Sequence, residues 1–264
     1  MDLESDGCQV NVSLCVYSPL PTAASVSARL GAQPTRSADL GERRSPRSRP
    51  LPHTFWTVEH RGPAEQAQAF ANDLVVFMTE RRSALEALSA DGEITFWVGV
   101  HAEDDGDGII LPAAIWRALA TLPVDFWLDP YGPDVDEDED EDSWCSVALT
   151  ITSRALSATA ISAILQRTPS AAADATDEAI WRLDLGLPST AHLREHLPFV
   201  APFIARHRDR LQRLGESCQL TLTCQATSQG INGHVGLPPG WVRQFGSVPI
   251  DFVFEARTHP AWAH

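Results

Sequence analysis

A five-residue segment in the second half of the chain has the residue types of a zinc peptidase. Residues 192–196 read HLREH, which fits the H-x-x-E-H signature of one class of zinc enzymes. On a helix, His192 and His196 would share one face as metal ligands, and Glu195 would be close enough to activate a bound water. However, Pro198 follows directly, and no recognisable helical motif downstream supplies a third ligand. A solvated helix face is therefore the favoured interpretation, and a zinc-dependent hydrolase is the alternative hypothesis.

Acidic residues also crowd the turn EDDGDG, which contains Asp104, Asp105 and Asp107. A calcium loop needs ligands at alternating positions and a bidentate glutamate at the twelfth, and no glutamate follows at that spacing. We expect a solvated turn, with a weak cation or partner site as the alternative. The chain also has no G-x-S-x-G elbow and no glycine-rich phosphate loop, so the sequence favours a protein without an enzymatic activity or a cofactor.

The clearest pattern is a segment that occurs twice. Residues 111–128 read LPAAIWRALATLPVDFWL, and they align without a gap with residues 237–254, which read LPPGWVRQFGSVPIDFVF. The offset of 126 positions is far above the period of about 20–50 residues found in solenoids, so the repeating unit is a whole domain. The sequence therefore predicts two copies of one fold.

Three pairs of residues keep both their type and their approximate spacing in the two copies. They are Trp56 and Trp181, Arg117 and Arg243, and Asp125 and Asp251. These six residues are candidates for a shared binding pocket. The alternative is architectural, because each tryptophan could fill the space between sheet and helices, and each arginine could pair with the aspartate of the following strand.

The elements of each copy are predicted in the order strand, helix, strand, helix, hairpin, helix, strand. Residues 8–16 alternate apolar and polar side chains, as a half-buried strand does. A long helix is expected over 64–90 and again over 190–214, where Pro198 and Pro202 should kink or split it. This order predicts an α+β fold in which two similar domains, each a mainly antiparallel sheet with helices on one face, are related by a pseudo-twofold axis.

The charge pattern marks the boundary between the copies. Residues 134–142 contain eight acidic residues and a single valine, so we expect a disordered acidic linker over 134–143. The first repeat would then span residues 1–133, and the second repeat would span residues 144–264. A second segment that is rich in Arg, Ser and Pro, the Arg36–Arg49 loop, is expected to be mobile.

Four short phrases of the chain resemble a bacterial family catalogued as domain of unknown function 4279. They are LGAQPT at 30–35, GE at 41–42, WTVE at 56–59 and LPVDF at 122–126. The resemblance extends to both halves, although Gln166 and Arg167 replace the Gly31 region in the second half. It implies no enzymatic activity, and some relatives are thought to accompany toxin systems as immunity proteins.

Composition narrows the class of partner. The net charge of −15 would repel a phosphate backbone, so a nucleic-acid partner is not expected and a basic protein is. No apolar run is long enough to span a membrane, and the acidic start is unlike a signal peptide, which together favour a cytoplasmic protein. We expect a non-enzymatic protein-binding module of immunity or regulatory type. The alternatives are the zinc hydrolase and an acidic mimic of nucleic acid. The sequence predicts no oligomeric state.

Overall fold

The computed structural model of the chain describes residues 7–43, 45, 47–102, 106–131, 145–175, 177–185, 187–188, 191, 193–227 and 235–257. Within these residues, twelve strands and seven α-helices build two six-stranded sheets. The predicted α+β class is confirmed. In the same residues there is no helix with the length and apolarity needed to cross a membrane. The acidic linker expected over 134–143 lies outside the described residues.

The first half of the chain contributes six strands and four α-helices. They are β1 (Gln9–Ser18), α1 (Ala23–Leu30), β2 (Arg36–Ala38), β3 (Thr54–Pro63), α2 (Ala67–Glu80), α3 (Arg82–Ser89), β4 (Glu93–His101), β5 (Gly108–Leu111), α4 (Ala113–Leu119) and β6 (Asp125–Tyr131). The second half contributes six strands and three α-helices. They are β7 (Cys145–Ser153), α5 (Ala158–Leu165), β8 (Ala171–Asp174), β9 (Ala179–Asp184), α6 (Leu193–Leu214), β10 (Gln219–Thr227), β11 (Val235–Leu237), α7 (Pro239–Gly246) and β12 (Ile250–Arg257).

The two sheets exchange one edge strand each. The first sheet has the order β11-β6-β4-β1-β3-β2, and the second has the order β5-β12-β10-β7-β9-β8. Strand β5 of the first half pairs with β12, and β11 of the second half pairs with β6. The predicted hairpin between β4 and β5 is therefore wrong. The physical reason is that β1 and β6 already occupy both edges of β4, so β5 cannot pair with β4 and pairs with the edge of β12 instead.

Both sheets are mixed. In each sheet four of the five strand pairings are antiparallel, and the remaining one is parallel, β4 with β6 or β10 with β12. A parallel neighbour needs a crossover connection rather than a tight turn. The segment that contains β5 and α4 provides this crossover in the first half, and the segment that contains β11 and α7 provides it in the second.

The two halves share one continuous apolar core. The indole of Trp116 in α4 lies 4.6 Å from the ring of Phe126 in the first sheet and 5.7 Å from the ring of Phe252 in the second, measured between ring centroids. It also lies 5.4 Å from Phe245 of α7. Helices α4 and α7 touch closely at Gly246, where no side chain separates them. The buried residues of both halves form a single contiguous cluster.

The long helices differ from the sequence expectation in opposite ways. The first is interrupted at Arg81, whose backbone leaves helical geometry between α2 and α3 and whose Nε donates to the carbonyl of Leu30 at 3.0 Å. The second is not split, because α6 runs through Pro198 and Pro202. A proline inside a helix costs about 3 kcal/mol. Nine buried residues on α6 recover that cost through packing against the core.

Local contacts recur in both halves. Trp56 Nε1 donates to Ser27 Oγ in α1 at 3.0 Å, and Trp181 Nε1 donates to Ser162 Oγ in α5 at 2.9 Å. The amide at the start of each short helix donates to an aspartate 16 residues later, Ala23 to Asp39 and Ala158 to Asp174. These hydrogen bonds fix each short helix against its sheet in the same way.

Candidate binding face on the first sheet

The side of the first sheet that faces away from helices α1–α4 carries an unusual set of residues. Side chains alternate between the two faces of a strand, so the residues next to the buried Val12, Phe96 and Phe126 point to this other side. We call it the open face. Its central row is formed by residues that are neighbours across the paired strands, namely Glu59, Ser13, Trp97, Trp127 and Gly236.

Two tryptophans lie side by side in the middle of the open face. Trp97 of β4 and Trp127 of β6 are paired directly, and both are half-buried. A Cβ atom added at Gly99 would lie 2.6 Å from Cη2 of Trp97, so the indole lies across that glycine. A Cβ atom at Gly236 would lie 3.3 Å from Nε1 of Trp127, so the second indole reaches over the strand that the other half supplies. The glycines let both indoles lie against the sheet.

One side of the tryptophan pair is acidic. Asp125 and Asp129 flank Trp127 on β6 and point to the same face, because they are two residues away on either side. Burial raises the pKa of Asp125, and the nearby carboxylate of Glu93 raises it further. The ionised form of Asp125 is therefore destabilised in the isolated protein.

The other side of the pair is basic. Arg36 Nη2 lies 2.7 Å from Glu59 Oε2, and Arg61 Nη2 lies 3.5 Å from Glu59 Oε1. Both arginine side chains are more than half exposed, at 57% and 60%. They border a trough of about 410 Å³, which is also lined by Gln9, Val10, Asn11, Trp97 and His101. The open face thus changes from positive to negative charge across its two tryptophans.

The corresponding side of the second sheet is different. At the offset of 126, Thr223 stands in place of Trp97 and Val253 in place of Trp127. Thr221 and Thr150 are neighbours on the same side. Threonine and valine suit a strand but offer little surface for recognition. Among the described residues, the paired indoles are therefore a property of the first sheet.

The structure does not bring the six repeated residues into one pocket. Trp56 and Trp181 are fully buried and hydrogen-bonded in the core. Arg117 and Arg243 are exposed, and within the described residues neither forms an ion pair with Asp125 or Asp251. Asp125 lies on the open face. Arg117 instead borders a groove of about 310 Å³ beside Gln212 and Glu216.

Asp251 has a structural partner in the other half of the chain. Its Oδ1 accepts a hydrogen bond from the amide of Ala113 at 2.9 Å, at the start of α4. The residue that matches Ala113 at the offset of 126 is Pro239, which has no amide hydrogen. This difference explains why Asp125 cannot receive the matching hydrogen bond.

The remaining candidate residues are placed only in part. Asp104, Asp105 and His192 lie outside the described residues. The carbonyl of Asp107 accepts from the amide of Ala256 at 2.7 Å, where the chain crosses to the second sheet.

The described part of the HLREH motif does not converge on one point. The side chain of His196 is buried and its Nε2 donates to the carbonyl of Ala191 at 3.2 Å, whereas Glu195 is exposed. Among the described residues no three metal-ligating side chains cluster.

Sequence reasoning named Asp125 but missed the other residues on which the open face depends, above all Trp97 and Trp127. Trp97 and Trp127 occupy the positions of their strands at which a polar residue is usual, and this was the signal that could have found them. The alignment of the two copies carried a second signal, because Trp127 aligns with Val253 and the tryptophan is therefore not part of the repeated pattern. Arg61 and Asn11 could not be found in this way, because the trough depends on the register of three strands.

The fold and the open face define an α+β protein with an exposed aromatic and charged surface on one of two sheets. Residues 8–133 match the family described as Domain of unknown function (DUF4279), which supports the family resemblance for this part of the chain. The match spans β1 to β6 and so contains the open face apart from the strand β11. No curated protein matches the chain.

Proposed function

We propose that this chain is a non-enzymatic protein-binding module and that its partner docks on the open face of the first sheet. The observation that carries the proposal is the pair of half-buried indoles, Trp97 and Trp127, at the centre of that face. Tryptophan and arginine are the residues that most often dominate the energy of a protein interface. Here both types lie together, because Arg36 and Arg61 line the trough beside Trp97.

The charges of the face support a partner that is basic where it meets β6. Asp125 and Asp129 flank Trp127, and an arginine or lysine from a partner could lie over the indole and approach both carboxylates. Such a cation would also offset the burial and the repulsion from Glu93 that together raise the pKa of Asp125. The net charge of −15 would add long-range attraction for a basic protein.

The proposal includes a cytoplasmic location and an immunity or regulatory role. The five cysteines are free thiols, of which Cys8, Cys145 and Cys224 are buried, and free thiols are typical of a reducing compartment. A role as an immunity protein is consistent with a surface that has a partner site and no assembled catalytic set in the described residues. It rests on the family resemblance alone.

We also propose that the two halves arose by duplication of one unit and are related by a pseudo-twofold axis. The matched strand orders of the two sheets support this, as do the paired tryptophan-to-serine hydrogen bonds. The reciprocal exchange of β5 and β11 has the form expected when a swapped dimer of identical units becomes one chain. Only the first unit then kept or acquired the indole pair.

Replacing the two tryptophans by the residues that the second sheet carries tests the binding proposal. The double variant Trp97→Thr/Trp127→Val should fold, because both new residues favour strands. The matched control is Thr223→Ser/Val253→Thr on the second sheet. Partners captured from a lysate of the native host would be identified by mass spectrometry, and the purified partner would be titrated by calorimetry.

We expect the partner to bind the wild type and the control equally and the double variant about 30-fold more weakly or worse, which corresponds to the loss of one interface hot spot. Thermal unfolding of all three proteins shows that they are folded. Equal binding to the double variant would refute the assignment of the open face. A wild-type protein that captures nothing the double variant lacks would also count against it.

A further inference from the structure

The trough beside Trp97 is a second site with its own chemistry. Its floor is Asn11 on β1, which is buried at 6% exposure although it lies on the open face. Arg61 is the neighbour of Asn11 on one side, and Gly99 is its neighbour on the other. The missing side chain at Gly99 leaves room over the sheet, and the indole of Trp97 leans across it. The result is a trough with a guanidinium wall and an indole wall.

The polar groups of the trough are mainly hydrogen-bond donors. Oδ1 of Asn11 accepts from Ser13 Oγ at 2.8 Å, which leaves the amide NH2 group of Asn11 to donate. Each guanidinium has five N–H groups, and the contact with Glu59 engages one terminal nitrogen of Arg36 and one of Arg61. Donors that converge from a guanidinium and an amide fit the oxygens of an anion.

The charge of the site selects among anions. The two arginines share the single carboxylate of Glu59, which lies between them and is 12% exposed, so the cluster carries one positive charge in excess. A monoanion would neutralise it, whereas a phosphate dianion would leave a new negative charge in a strongly acidic protein. The indole wall adds a preference for a flat apolar group, which can stack on it.

We propose that this trough binds an organic carboxylate that is carried on an aromatic or similarly flat body. The carboxylate contacts the Arg61 guanidinium and the Asn11 amide, and the ring lies against Trp97. The volume of about 410 Å³ suits a ligand of one ring with a short side chain. Such a group occurs in free aromatic acids and at the end of a peptide whose last residue is aromatic. The trough shares Trp97, Arg36 and Arg61 with the docking face proposed above, but a small ligand needs no protein partner and contacts neither Trp127 nor Asp125.

Titration of the full-length protein with four small probes tests this site. Phenylacetate represents a free aromatic acid, and N-acetylphenylalanine represents a peptide terminus. Phenylacetamide retains the ring without the charge, and acetate retains the charge without the ring. Binding would be followed by calorimetry and by the indole N–H signals in nitrogen-15 NMR spectra, which also report on folding.

We expect saturable binding of at least one aromatic carboxylate in the millimolar range or tighter. Phenylacetamide and acetate should each bind at least about tenfold more weakly. Phenylacetamide loses the charge-assisted contact with the arginine, and acetate loses the ring that stacks on the indole. Preference for N-acetylphenylalanine would assign the site to peptide ends, and preference for phenylacetate would assign it to free acids.

Two variants locate the binding. Arg61→Gln should weaken binding of the preferred carboxylate probe about tenfold. Arg82→Gln should leave this binding unchanged, because Arg82 pairs with Glu86 on α3 in the helix layer. Trp97→Thr should also weaken binding of this probe, because it removes the indole on which the ring stacks. The proposal is overturned if neither aromatic carboxylate saturates, if phenylacetamide binds equally well, or if Arg61→Gln binds like the wild type. The failure of this proposal can be told apart from a failure of partner binding, because the small probes need no partner and partner capture also depends on Trp127 and Asp125, which the trough does not use.

Discussion

The contact between α4 and α7 predicts opposite effects for two glycines of one helix. Gly246, the last residue of α7, packs against the backbone of α4 from the other half. A Cβ atom there would lie 2.4 Å from the carbonyl oxygen of Trp116 and 2.5 Å from Cβ of Ala120. Gly240, near the start of the same helix, has no atom within 4 Å of its added Cβ. Both substitutions to alanine remove the same backbone freedom, but only one forces the helices apart.

The magnitudes follow from these distances. Overpacking of a close contact costs about 1–3 kcal/mol, and replacement of glycine by alanine in a helix returns up to about 1 kcal/mol. Gly246→Ala should therefore lower the free energy of unfolding by about 1–2 kcal/mol. Gly240→Ala should raise it by about 0.5 kcal/mol, because it gains the propensity without the clash.

Urea denaturation measures both changes. Far-UV circular dichroism and tryptophan fluorescence should report one coincident transition for the wild type, because the core is continuous across the halves. A Gly246→Ala variant as stable as Gly240→Ala would show that the helices do not touch as described. Two separate transitions in the wild type would refute the shared core.

Four further perturbations test other parts of the structure. Asp125→Asn should raise the free energy of unfolding at pH 7, and this gain should disappear near pH 3. Because the pKa of Asp125 is raised in the folded protein, its ionisation lowers stability once the pH rises above about 4, the ordinary pKa of an aspartate. Asp251→Asn should instead lower the free energy of unfolding at pH 7 by about 0.5–1 kcal/mol, because an amide caps the start of α4 less well than a carboxylate does. Thermal unfolding measures both changes, and equal effects of Asp125→Asn and Asp251→Asn would contradict the different roles of the two residues. Among the described residues, the ring nitrogens of His207 have no hydrogen-bond partner. Burial and three nearby arginines lower the pKa of His207, so stability should fall as the pH drops below about 6.5. His207→Phe should reduce this acid sensitivity in thermal unfolding measured between pH 8 and pH 5, and an unchanged pH dependence would argue against it. Cleavage at a protease site inserted in residues 134–142 should leave the two halves in one complex on size-exclusion chromatography, because each supplies a strand to the other, and separate peaks would exclude the exchange.

Local patterns predicted much of the fold. The alternation in residues 8–16 marked β1, and the repeated segment marked the helix and strand that close each half. Side-chain periodicity reports which residues are buried, and it does so without knowledge of the rest of the chain. The short strands β2 and β8 were missed, because three or four small or polar residues give no periodic signal.

The strand exchange could not be predicted from these patterns. Whether β5 pairs with β4 or with β12 depends on which strand edges are open, and the parallel insertion of β6 beside β4 decides this. The candidate site was missed for a related reason. Trp97 and Trp127 are 30 positions apart in the sequence, and only the register of β4 with β6 makes them neighbours.

The exchanged strands have a consequence for synthesis on the ribosome. When β6 emerges, its outer edge has no partner until β11 is made about 100 residues later, which takes on the order of 5–20 s at a synthesis rate of about 5–20 residues per second. During that interval the nascent first half has an unpaired strand edge, and Trp116 lacks its contacts with Phe245 and Phe252 of the second half, both of which favour aggregation. Slow translation of the second half, or its truncation, would therefore increase the demand of this protein on chaperones.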